Sequence, residues 1–81
     1  MRMKRLSEIG PGVKVVIREI ESDELFLKLM EMGFIPGEMI TVEQIAPLGD
    51  PISVSVAGYN LSLRLNEAKS VLVEQVTVKQ G

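Results

Sequence analysis

The sequence predicts one small, mostly β domain: about five short strands curled into a barrel, one short α-helix between the first two strands, and a short helical turn before the last. Three observations predict it. Eighty-one residues leave room for one core and no second. Segments rich in Val, Ile and Leu alternate at period two and are separated at short intervals by Gly and Pro. One longer segment shifts to the helical period. Strands that each carry one apolar face must curl to bury it, and closing the sheet also removes its free edges.

The elements follow in order. Gly10-Pro11-Gly12 opens a β-branched run, Val13 to Ile20, which reads as the first strand. Ser22 is placed to cap a helix, with Asp23 and Glu24 in the first turn, where the helix dipole favours negative charge. Leu25, Leu29 and Met32 then share one face, and Gly33 stands where a left-handed residue would end the helix. The spacing therefore predicts a helix over 23–32. Phe34-Ile35-Pro36-Gly37 is a turn, because Pro fixes φ at the second position and Gly takes a positive φ at the third. Strands are expected at Met39–Ile45, Ile52–Val56 and Leu61–Leu65. A Gly58-Tyr59 turn of type II′ would join the last two, pairing Val56 with Leu61, Val54 with Leu63 and Ile52 with Leu65. That register collects the apolar residues on one face. Asn66 would cap a single turn to Ser70, and a last strand would run from Val71 to Val78.

Composition narrows the function. The chain has no Cys and no His, which excludes disulfides, Cys/His zinc sites and the usual nucleophile–base pairs. The fold must stand on apolar packing, with 46% hydrophobic residues to build it. No apolar run approaches the roughly 20 residues of a membrane span, and the basic start lacks an apolar signal core, so the chain reads as a soluble, cytoplasmic protein without membrane insertion. Arg2, Lys4 and Arg5 make residues 1–6 a basic end, expected to fray. The remainder carries six basic against eleven acidic side chains, which would repel phosphates and argues against nucleic acid. No Gly-Lys dipeptide is present, so no phosphate-binding P-loop of a GTPase can form.

Three stretches carry a family resemblance. Leu29-Met30-Glu31-Met32-Gly33-Phe34-Ile35-Pro36-Gly37 resembles the helix-to-strand signature of the FeoA family. Ala46-Pro47-Leu48-Gly49-Asp50-Pro51 resembles its central loop, and Leu63-Arg64-Leu65-Asn66-Glu67-Ala68 with Val71-Leu72-Val73 resembles its C-terminal end. The similarity runs from about Leu6 to Val73 and covers nearly the whole chain. It implies an SH3-like barrel and non-enzymatic accessory work in ferrous iron uptake at the cytosolic part of FeoB, a membrane iron transporter with a GTPase domain. It also implies an association with transition metals. The alternative it leaves open is a metal-binding or regulatory domain akin to the C-terminal domain of metal-dependent repressors. The sequence departs from the family pattern at Phe26 and Leu27, helix positions commonly charged or polar in relatives.

Two surfaces are candidates for partner contact. Phe26 and Met30 widen the apolar stripe of the helix and Leu27 lies beyond its edge, so Phe26, Leu27 and Met30 could face a partner or a second copy. The other is the loop of Pro47 and Leu48, together with the hairpin tip at Tyr59, since rigid apolar loop tips make contacts at low entropic cost. Glu19, Glu21, Asp23 and Glu24 form an acidic stretch and the one weak candidate for metal. Oxygen donors without imidazole or thiolate hold iron(II) loosely, so no resident cofactor is expected.

Overall fold

The computed structural model describes residues 3–76. Among them are six strands in one antiparallel sheet: β1 (Met3–Arg5), β2 (Lys14–Ile20), β3 (Met39–Ile45), β4 (Ile52–Val56), β5 (Tyr59–Leu63) and β6 (Val71–Gln75). A 3-10 turn, Leu6–Glu8, follows β1. Helix α1 (Asp23–Glu31) joins β2 to β3, and the four-residue α2 (Leu65–Ala68) joins β5 to β6. The strand order is β1-β6-β2-β3-β4-β5.

This corrects the expected five-stranded closed barrel. The sheet is open, with β1 and β5 at its two edges. The extra strand is β1, which pairs Met3 with Glu74 and Arg5 with Leu72. The basic end is therefore not frayed from Met3 to Leu6: its backbone joins the sheet and Leu6 is fully buried. With β1 counted, α1 lies between the second and third strands. β6 ends at Gln75; the part of the expected strand beyond Val76 lies outside the described residues.

Two β-bulges bend the sheet at matching places. In β2, Ile17 pairs with Val73 and Glu19 with Leu72, so Arg18 is an extra residue. In β3, Val42 pairs with Val54 and Gln44 with Ser53, so Glu43 is extra. Each bulge turns the strand's phase by one residue, which is why the inward positions are Val15, Ile17 and Ile20 in one strand and Ile40, Val42 and Ile45 in the other. A bulge also strengthens local twist. The apolar face thereby wraps a single core that includes Leu6, Ile17, Leu29, Phe34, Val54 and Val73.

The β4–β5 hairpin differs from expectation by two residues. Val56 pairs with Tyr59, Val54 with Leu61 and Ile52 with Leu63. The turn residues are Ala57 and Gly58, with φ of 51° and 83°. Positive φ at both central positions is the requirement of a type I′ turn, whose twist suits a hairpin. A two-residue slip preserves which side chains face inward, so the apolar pattern alone could not separate the two registers. Leu65 is thereby released from β5 to begin α2.

Candidate functional site

Helix α1 is fixed at both ends by the groups the sequence supplies. Ser22 Oγ accepts the Leu25 N–H at 3.1 Å. At the other end the Gly33 N–H donates to the Met30 carbonyl at 3.0 Å and the Phe34 N–H to the Leu29 carbonyl at 2.9 Å. That pair of bonds is a Schellman motif, and it needs the φ of 100° that Gly33 adopts. Phe34, carried straight into the core by this stop, is fully buried. The Ile35-Pro36-Gly37 turn follows, closed by the Glu38 N–H on the Ile35 carbonyl at 2.9 Å.

The helix buries Leu29 completely and packs Leu25, Met30 and Met32 partly on the core. Met30 is thus part of the packing rather than of the outward face. Phe26 and Leu27 do face outward, 44% and 66% exposed. Lys28 reaches across to α2, where its Nζ lies 2.6 Å from Glu67 Oε2.

The Pro47 loop is a tight turn. The Gly49 N–H donates to the Ala46 carbonyl at 2.7 Å, and the Ala46 N–H to the Pro51 carbonyl at 3.1 Å. These bonds hold Leu48 at the tip, 96% exposed. Asp50 Oδ1 accepts the Leu65 N–H at 3.2 Å, tying the loop to the start of α2. Tyr59, at 70% exposure, does not belong to this surface. The Pro47 loop leaves the Ile52 end of β4, whereas Tyr59 follows its Val56 end. Five strand residues, roughly 15 Å, separate them, so the loop and the hairpin tip are two surfaces and not one.

Glu19, Glu21, Asp23 and Glu24 are all exposed, and no group of three or more carboxylates that could hold a metal forms among the described residues. Glu21 is instead engaged by the Arg5 guanidinium. The donor set does not fit a resident transition metal.

One charged side chain escaped sequence reasoning. Glu67 is 5% exposed, the only buried charged residue among those described. Its Oε1 accepts the Arg64 N–H at 2.8 Å while its Oε2 meets Lys28. The Lys28 hydrogen bond first, then that of the Arg64 N–H, hold the carboxyl below the usual glutamate range. The pattern Arg-Leu-x-Glu, present at 5–8 and again at 64–67, signals the glutamate-capped turn but not the burial, since Glu8 in the first copy is exposed.

No helix among the described residues is long and apolar enough to cross a membrane. The model of the FeoA domain matches residues 4–75. A relative from Porphyromonas gingivalis, the Fe(2+) transport protein A/Fe(2+) transporter FeoB fusion protein, is 43% identical over 74 residues, covering 90% of this chain and 9% of the fusion protein. The chain thus spans only a small part of that relative. A FeoA-like protein from Clostridium acetobutylicum superposes with a TM-score of 0.89 at 36% identity, over 100% of this chain and 95% of its own. The FeoA of Stenotrophomonas maltophilia in complex with zinc, a prokaryotic SH3 domain protein, gives 0.74 at 31% identity over 85% and 87% of the two chains. A manganese-dependent transcriptional repressor shares the fold at 15% identity, with a TM-score of 0.86 over 94% of this chain and 38% of its own. That last likeness shows the fold alone. A family match across nearly all the described residues, on an SH3-like sheet, means that the chain belongs to the FeoA family.

Proposed function

We propose that this chain is a non-enzymatic, cytoplasmic accessory module of ferrous iron uptake that binds the cytosolic part of a FeoB transporter. The observation that carries this reading is the Porphyromonas gingivalis relative, in which an Fe(2+) transport protein A and the transporter FeoB are one polypeptide. A tether raises the effective concentration of two modules for each other, which is of use where the two must meet. The constrained apolar tip at Leu48 and the outward helix residues Phe26 and Leu27 supply contact surface of the kind that binds without large ordering cost. Such a module changes a transporter's activity only by binding one of its states more tightly than another.

Calorimetric titration of the chain into the GTPase domain of its own organism's FeoB, without nucleotide, with GDP and with a non-hydrolysable GTP analogue, tests the reading. Binding that differs between nucleotide states is expected. Leu48→Asp and Leu27→Glu then weaken it by about tenfold or more where the residue is a central contact. No heat and no complex in all three states would overturn the proposal. The regulatory-domain alternative is less supported by the residues, since among the described residues no group of three or more carboxylates comes together to hold a metal.

A further inference from the structure

The two edges of the sheet are unlike. β1 carries Lys4 and Arg5, and basic residues are a common guard against edge-to-edge pairing. β5, Tyr59-Asn60-Leu61-Ser62-Leu63, has no charge, no Pro and no bulge. In an antiparallel ladder closed by a two-residue turn, the residues flanking the turn exchange hydrogen bonds, and every second residue beyond them does the same. Tyr59, Leu61 and Leu63 therefore direct their N–H and C=O groups to β4, and Asn60 and Ser62 direct theirs outward. Asn60 and Ser62 are exposed, and among the described residues no backbone bond from another segment reaches either.

We infer that β5 pairs with β5 of a second copy of this chain, antiparallel, about a two-fold axis through Leu61. The strand is self-complementary in that register. Asn60 faces Ser62 of the second copy and Ser62 faces its Asn60, so every outward donor and acceptor of both residues finds a partner. Leu61 meets its own counterpart, and Tyr59 and Leu63 stay on the apolar side of the extended sheet, where they already lie opposite Val56 and Ile52. No like charges are brought together. The same operation at β1 would set Lys4 against its own counterpart, which is why β5 is the edge that pairs. This inference is independent of the transporter reading, since it concerns the free chain.

The test is sedimentation equilibrium from about 10 µM to about 1 mM, the range in which a few hydrogen bonds net of association cost become visible. The expected result is a weight-average mass that climbs from 8.9 kDa toward twice that value as concentration rises. Ser62→Ala keeps the rise, because the backbone is unchanged. Ser62→Pro abolishes it, because the ring removes an outward donor at an edge position where the monomer can accept proline. Leu27→Glu leaves it intact. A monomeric mass throughout, or a rise that Leu27→Glu removes and Ser62→Pro does not, overturns the inference. Should Ser62→Pro fail to fold by circular dichroism, amide exchange of the unaltered chain decides. The Asn60 and Ser62 N–H groups gain protection at the higher concentration if β5 pairs, and equal exchange at both concentrations rejects it.

Discussion

Two turns of the molecule share one four-residue pattern and use it differently. Arg5-Leu6-Ser7-Glu8 makes the 3-10 turn after β1, and Arg64-Leu65-Asn66-Glu67 makes the start of α2. In each, the glutamate accepts the N–H of the arginine three residues back, at 2.8 Å in both cases. The local bond is the same, and it satisfies one of the backbone donors a helical turn leaves open. The burial is reversed. At the first turn Leu6 is fully buried and Glu8 is exposed; at the second Leu65 is half-buried and Glu67 is inside. Leu6 contributes to the core, whereas Glu67 fixes α1 to α2 through Lys28. The two turns also touch, since the Arg5 guanidinium donates to the Lys69 carbonyl at the end of α2 at 2.8 Å. The pattern dictates the turn, and the position in the sheet dictates which of its side chains matters.

The largest expected break in this comparison is at the leucines. Leu6→Ala empties a fully buried site and should cost about 2–5 kcal/mol, against about 1–2 kcal/mol for Leu65→Ala, whose side chain packs on the core from its partly buried edge. Urea unfolding of the two variants measures both, and equal losses would mean that the turns contribute alike to the core. The glutamates should rank in the opposite order. Glu67→Ala removes a bond to a part-buried N–H together with the partner of Lys28, about 1–3 kcal/mol. Glu8→Ala leaves an N–H that water can reach, about 0.5 kcal/mol. Lys28 is itself 59% exposed at its side chain and returns to solvent when Glu67 is lost, so no stranded charge enlarges the larger figure.

How much of this was legible beforehand follows from what sets each feature. Helix α1, the Pro36-Gly37 turn, β3 and β4 depend on residues within one or two turns of chain, and Ser22, Gly33 and the alternation of Ile52–Val56 disclosed them. β1 was missed because a three-residue edge strand with two basic side chains has no period to detect, and only its pairing with β6 defines it. The bulges were written in the repeated spacing of Val15, Ile17, Ile20 and Ile40, Val42, Ile45, but a spacing of three inside an alternating run also fits an imperfect strand. The hairpin register was lost to the parity that a two-residue slip conserves. Of the candidate surfaces, the outward Leu27 and the bare Leu48 tip follow from local pattern, whereas the separation of Tyr59 from Leu48 follows from strand topology. Burial of Glu67 needed the tertiary placement of Lys28, which no local pattern carries.

The finest difference between the two turns is the part of the Glu67 contribution that depends on charge. The Lys28 hydrogen bond, followed by that of the Arg64 N–H, holds the folded carboxyl below its ordinary value of 4.5. The unfolded chain then binds the proton more readily than the folded one, so stability rises with pH across this window. The contribution is fully present above about pH 4.5 and is lost as pH falls through the folded value. Glu67→Gln keeps an acceptor for the Arg64 N–H and discards the charge, which isolates this portion. Urea midpoints of the unaltered chain and of Glu67→Gln at pH 7, 4.5 and 3 should therefore show a gap that is widest at pH 7 and narrows on acidification. Whatever else changes with pH is common to both proteins and drops out of the difference. A gap that stays constant from pH 7 to pH 3 would show that Glu67 holds α1 to α2 by shape and neutral hydrogen bonding alone, and the contrast between the two turns would then be one of burial without electrostatics.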